Sequence, residues 1–162
     1  MITKKDMYYF HQAAKAAVLS TYKNKKNMTG CVVIYKGNII AEGYNQDKTD
    51  PVQKKYNKFR EFSDNKERPH KIHAEITAIK HITLRDIDWR QVSIYVVRVK
   101  KDGTYGMTRP CNACMQYIKE KGIRNIYYST DDGYAHERLR KWGGGPLRTP
   151  FLIYILRRIY EK

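Results

Sequence analysis

The feature that most constrains this 162-residue chain is a pair of short motifs. His73-Ala74-Glu75 is followed, 38 positions after the histidine, by Cys111 in the run Pro110-Cys111-Asn112-Ala113-Cys114. Cysteines three apart on a helix can point both sulfurs from one face. Pro110 at the entrance and Gly122 at the exit bracket that helix. The free N–H groups at its start favour thiolates. Two thiolates and an imidazole, here from His73, suit zinc. A structural zinc closes its shell with four protein ligands, whereas three leave a position for water, the mark of a catalytic site. Glu75 then has a use, because a carboxylate beside such a water can take its proton and pass it to a departing amine. A lone CxxC also fits a redox pair, which needs neither His73 nor Glu75. Half of a zinc ribbon is a further alternative, for which the chain offers no second CxxC.

The rest of the chain reads as one α/β unit. Alanine-rich residues 6–22 have helical apolar spacing. Residues 31–45 read as two strands around Lys36-Gly37-Asn38, a hairpin with a glycine-containing turn. Residues 46–72 are polar, broken by Pro51 and Pro69, and read as a long loop. A helix is expected from the His73 motif to about residue 82, then a buried strand over 91–100 and a turn-rich stretch over 101–109. After the cysteine helix come a strand over 123–130, a turn at Asp131-Asp132-Gly133 and a helix over 134–142. Domain boundaries are expected at 1–145 for the main unit, with a tail over 146–162 packing on it. Strands alternating with helices predict helices layered on a sheet.

Lys and Arg number 32 against 16 Asp and Glu, a formal net charge of +16. Such a field gathers polyanions or phosphorylated ligands. Apolar residues at 41% and aromatics at 12% exclude a disordered chain. No segment is apolar enough to span a bilayer and the start lacks a secretory block, so a cytoplasmic protein without membrane attachment is expected. Three cysteines do not make a disulfide framework, and Cys31, within an apolar run, is expected to be a small buried hydrophobe. His11, His70, His81 and His136 are expected to be packed or surface histidines.

H-x-E followed by P-C-x-x-C is the signature of zinc-dependent nucleobase deaminases. Residues 6–130 resemble that cytidine and deoxycytidylate deaminase superfamily, which also contains tRNA adenosine deaminases and polynucleotide cytosine deaminases. The resemblance implies a three-layer α/β/α fold with a central mixed sheet of about five strands. It implies Zn2+ as cofactor, held by His73, Cys111 and Cys114, with Glu75 as the proton shuttle of a hydrolytic attack at C4 of cytosine (or C6 of adenine) that releases ammonia. It leaves room for a homo-oligomer. Gly43-Tyr44-Asn45 is similar to the family's G-x-N loop, which makes Asn45, with Tyr44, a candidate substrate contact. Ala74, Tyr128 and Arg109 complete the candidate substrate contacts.

The substrate reading turns on residues 53–71. Lys54, Lys55, Lys58 and Arg60 alternate there with Tyr56, Phe59 and Phe62. Basic groups interleaved with aromatic faces are what single-stranded nucleic acid binding uses. An amphipathic helix packing Tyr56 and Phe59 on the domain explains the same spacing. Cytosine in single-stranded nucleic acid is therefore the expected substrate. Free (deoxy)cytidylate or cytidine is the alternative, followed by a tRNA-type adenosine deaminase and a non-catalytic nucleic-acid-binding module.

Overall fold

The computed structural model describes residues 1–22, 27–60, 70–140 and 156–157. The expectations for residues 61–69, including Phe62, and for the tail other than Leu156–Arg157 lie outside the described residues. Helix α1 spans Lys4–Ala17, so it starts and stops earlier than the apolar spacing suggests. Its start is fixed by a capping box, in which Thr3 accepts from the Asp6 N–H and the Asp6 carboxylate accepts from the Thr3 N–H. Strands β1 (Met28–Tyr35) and β2 (Asn38–Tyr44) form the expected hairpin. Both turn residues, Lys36 and Gly37, have positive φ, as tight two-residue hairpins require.

The polar stretch after β2 is not a structureless loop. Asp50 caps a helix α2 over Pro51–Tyr56, and a 3-10 turn over Asn57–Phe59 extends it. Pro51 is therefore the first residue of a helix, where its missing N–H has no cost, rather than a breaker. Helix α3 (Ala74–Lys80) follows, then β3 (Val92–Val99) and the two-residue β4 (Tyr105–Gly106). Helix α4 (Asn112–Lys121) ends at Gly122, whose φ of 94° is the left-handed cap expected of a glycine there. Strand β5 (Asn125–Thr130) comes next.

The helix expected over 134–142 is instead strand β6, Gly133–Arg138, antiparallel to β5 with Thr130 opposite Gly133. Its burial alternates: Ala135, Glu137 and Leu139 are inside while Arg138 is exposed. Period 2 has won over the helix-forming composition of Glu-Arg-Leu-Arg-Lys. A last strand, β7 (Leu156–Arg157), pairs with β6.

The sheet order is β2-β1-β3-β5-β6-β7, with β4 beside β3. Among the described strands, only β3 and β5 run parallel, joined through α4 as a βαβ unit must be. Five strands have six residues or more, which agrees with the expected mixed sheet. Alternation divides the core in two. Cys31, Val33, Ile94 and Val96 face α3 and α4, whereas Val32, Ile34, Tyr95 and Val97 face α1. This is the three-layer α/β/α architecture. Cys31 is fully buried and unpaired, as expected.

Gly43 sets how closely α3 approaches the sheet. A methyl group there would lie 2.4 Å from the Ala78 amide nitrogen and 2.9 Å from the Ala74 carbonyl oxygen. Gly43→Ala is expected to push α3 outward and lower unfolding free energy by about 1–3 kcal/mol, measured by urea denaturation. On the other face, Tyr127 stacks on the His136 ring at 4.2 Å. Burial holds the His136 imidazole below its ordinary value. The unfolded chain then binds the extra proton first, so stability falls as pH drops through about 6.5 and flattens once the folded imidazole protonates. His136→Phe is expected to show a shallower decline between pH 7.5 and 5.5 in thermal melts of zinc-loaded protein.

Candidate active site

His73 and Cys111 are the N-cap residues of α3 and α4, and Cys114 lies in the first turn of α4. The two helix N-termini meet, and His73 Nδ1 lies 3.5 Å from Cys111 Sγ and 3.3 Å from Cys114 Sγ. All three donor atoms lie within 4.8 Å of one another, and they form the one such group of three among the described residues. Zinc–sulfur bonds of about 2.3 Å and a zinc–nitrogen bond of about 2.0–2.1 Å at a tetrahedral angle put sulfur and nitrogen about 3.5 Å apart. The observed spacing fits zinc without rearrangement.

The electrostatics suit a cation. The Cys111 thiol is pulled down to about 3, first by a hydrogen bond with Cys114 and then by His73. Burial pushes the Cys114 thiol up, so the two sulfurs share charge unequally. Glu75, in the first turn of α3, is 4% exposed, and burial raises its carboxyl against the pull of His73.

A cavity of about 460 Å3 opens over this cluster, with His73, Ala74, Glu75 and Cys111 in its wall. It lies where β1 begins and β2 and β3 end, so Thr29, Asn45 and Arg98 line it as well. The Asn45 side chain accepts from the Thr29 N–H and donates to the Asn27 carbonyl, tying the end of β2 to the start of β1. Arg60, Lys71, Arg98 and Arg109 bring four cations to the wall. Arg109 is gripped by the buried Glu137 carboxylate through Nε at 2.7 Å and Nη2 at 3.1 Å. Tyr128 backs that pair from the core, pushed up to about 12 by burial and by Glu137.

Other expected contacts are placed elsewhere. Tyr44 and Tyr128 are not in the cavity wall, and Tyr128 is only 2% exposed. Tyr56 is buried and its hydroxyl donates to Glu120 on α4. Lys54, Lys55 and Lys58 are exposed on α2 and its 3-10 extension, outside the cavity wall, with Lys55 over the Tyr56 ring and Lys58 over Phe59. Arg98 and Gln53 are among the contributors that escaped the sequence reading. Arg98 had a signal, as the one charge in an apolar strand run, and its buried Nε has no hydrogen-bond partner among the described residues. Gln53, fully buried, accepts the His73 backbone N–H, and its only sequence signal was the Asp50-Pro51 helix start.

The model of the cytidine and deoxycytidylate deaminase zinc-binding region matches residues 3–130. The chain belongs to this family. Zinc is therefore its cofactor, and the His/Cys/Cys group fits it. Among solved structures, the apo dCMP deaminase of the cyanophage S-TIM5 matches with TM-score 0.54 and 21% identity over 80% of this chain and 86% of that one. The complex of the same enzyme with dCMP and dUMP has the same score and identity, with 84% of that chain covered. Acinetobacter baumannii RibD gives TM-score 0.45 at 21% identity, over 80% of this chain and 29% of that one. No curated protein matches the sequence. The phage enzyme's likeness establishes the fold. No helix among the described residues is long and apolar enough to cross a membrane.

Purified protein is expected to carry one zinc per chain by plasma emission, and Cys114→Ser to fall to background. A full equivalent retained by Cys114→Ser would remove Cys114 from the ligand set.

Proposed function

We propose that the protein is a zinc-dependent hydrolytic deaminase that converts the cytosine of a pyrimidine nucleotide to uracil. His73, Cys111 and Cys114 hold the metal in this reading. The observation that carries it is a buried carboxylate, Glu75, beside the three-donor cluster at the wall of a cation-lined cavity. Zinc bound by the three donors supplies Lewis acidity that makes a water nucleophilic at neutral pH. Glu75 takes the proton from the attacking water and delivers it to the exocyclic amine, so that cytosine and water become uracil and ammonia. Its burial suits both halves of that task, because desolvation raises its carboxyl toward the range where it can give as well as take a proton. Ala74, without a bulky side chain, lets the base approach the start of α3.

Charge supports the substrate class. Four cations in the wall of a cavity of about 460 Å3 suit one nucleotide with an anionic phosphate better than a neutral nucleoside. A single-stranded nucleic acid is the second reading. It is favoured by Lys54, Lys55 and Lys58, which lie exposed on the segment that leads to Arg60 in the cavity wall.

Product analysis by mass spectrometry on cytidine, dCMP, CMP, single-stranded DNA and RNA, and adenine counterparts separates these readings. Conversion of dCMP or CMP with little conversion of cytidine supports the nucleotide reading. Uracil formed only in oligonucleotides, with affinity falling steeply as salt rises, supports the nucleic acid reading. Glu75→Gln is expected to keep zinc and lose roughly 10^2–10^4-fold in kcat, whereas Cys111→Ser loses both. Near-normal turnover in Glu75→Gln would end the proton-shuttle role.

A further inference from the structure

We propose that Gln53 is the positioning residue for the metal ligand His73, and that α2 is a brace that holds both ligand-bearing helices in register. The proposal rests on the reading of His73 as a zinc ligand. It begins with a problem of helix termination. The first turn of a helix has N–H groups with no intrahelical partner, and the N-cap side chain ordinarily accepts one of them. The N-cap of α3 is His73, whose Nδ1 faces the two sulfurs and which makes no side-chain capping bond. The third helical position is Ile76, so no Glu or Gln is there to reach back to the His73 N–H in a capping box. A ligand cannot also serve as the cap, and with no reach-back side chain the His73 N–H must be satisfied from outside.

Gln53 does this. Its Oε1 accepts from the His73 backbone N–H at 3.0 Å, and its Nε2 donates to Asn57 Oδ1 at 2.8 Å. Asn57 Nδ2 in turn contacts His70 Nδ1 at 2.9 Å. The His73 carbonyl is held from the other side by the Thr77 hydroxyl at 2.9 Å and the Thr77 N–H at 3.1 Å. Both backbone groups of the ligand are therefore fixed, which fixes where its imidazole is presented. Gln53 has no exposed surface, so an amide there is retained only with its hydrogen bonds made.

The same segment is tied to both ligand-bearing helices. Asp50, at its N-cap, binds Lys80 at the far end of α3 at 2.5 Å. Tyr56 donates to Glu120 of α4. Arg60, just beyond the 3-10 turn, enters the cavity wall. Outer partners of a metal ligand typically change metal affinity by 10–100-fold when removed.

The test is zinc affinity by competition with a chromogenic chelator, together with the visible spectrum of the cobalt-substituted protein, neither of which needs turnover. Gln53→Met keeps the volume and removes the acceptor. It is expected to weaken zinc by about 10–100-fold and to broaden the cobalt ligand-field bands. Gln53→Glu keeps an acceptor for the His73 N–H but loses the donor to Asn57, and is expected to weaken zinc by about tenfold, clearly less than Gln53→Met does. Should Gln53→Met fail to fold, Asn57→Leu carries the test. It leaves the acceptor but unmoors the amide, and is expected to weaken zinc by about tenfold. Wild-type affinity in Gln53→Met, or in Asn57→Leu where that variant stands in, overturns the proposal. So does an equal loss in Gln53→Met and Gln53→Glu. Wild-type protein that binds no zinc at all removes the reading of His73 as a ligand, and this proposal with it.

Discussion

The structure depends on two helices beginning at the same point. His73 and Cys111 stand at the N-cap positions of α3 and α4, and the three donor atoms meet because these starts converge on one face of the sheet. That convergence dictates much of the topology. The cysteines stand at the start of the crossover helix of a βαβ unit, beyond the end of β3, so β3 and β5 must run parallel although every other pair in the sheet is antiparallel. The histidine helix must lie close against the β1–β2 hairpin, and Gly43 provides the clearance. Helix N-termini are also where anionic groups are best tolerated, which suits thiolates.

A chain of net charge +16 must still keep its own cations from occupying a site built of two thiolates and a carboxylate. Arg109, two residues from Cys111, shows one solution. The Glu137 carboxylate, buried on β6, grips its guanidinium on two nitrogens, a geometry that fixes the plane as well as the position. Lys71 is likewise paired, with Asp47 at 2.9 Å. The cavity wall is thus cationic without placing loose lysines over the metal cluster.

The chemistry of the site was legible because it is local. H-x-E and P-C-x-x-C each occupy a few consecutive residues, and their spacing on helices follows from backbone geometry alone. Gly122 and the Lys36-Gly37 turn were legible for the same reason. Strand β6 was not, because Ala, Glu, Arg and Leu favour helices and only pairing with β5 reveals their alternation. Helix α2 was legible only as an alternative, the amphipathic helix that packs Tyr56, because Pro51 reads as a breaker until Asp50 is seen to cap it. The cavity wall was legible in part. Asn45, Arg60 and Arg109 were named as contacts and line it, whereas Thr29 and Arg98 lie on strands that only the assembled sheet brings to the cavity.

The stretch after β2 drew attention for its lysines, and its geometry assigns it two faces. Gln53, Tyr56 and Asn57, three and four apart, point inward to α3, α4 and His70. Lys54, Lys55 and Lys58, offset by one position, face solvent. Helical periodicity explains both sets at once, so the aromatic and amide residues need not be substrate contacts for the lysines to be useful. The inward face fixes the segment against the metal cluster, and the outward face therefore presents its charge at a set distance from the cavity. The same segment leads to Arg60 in the cavity wall. In the nucleic acid reading, recruitment and metal geometry would be properties of one short segment, so that a substitution on its inward face is expected to disturb both and one on its outward face recruitment alone.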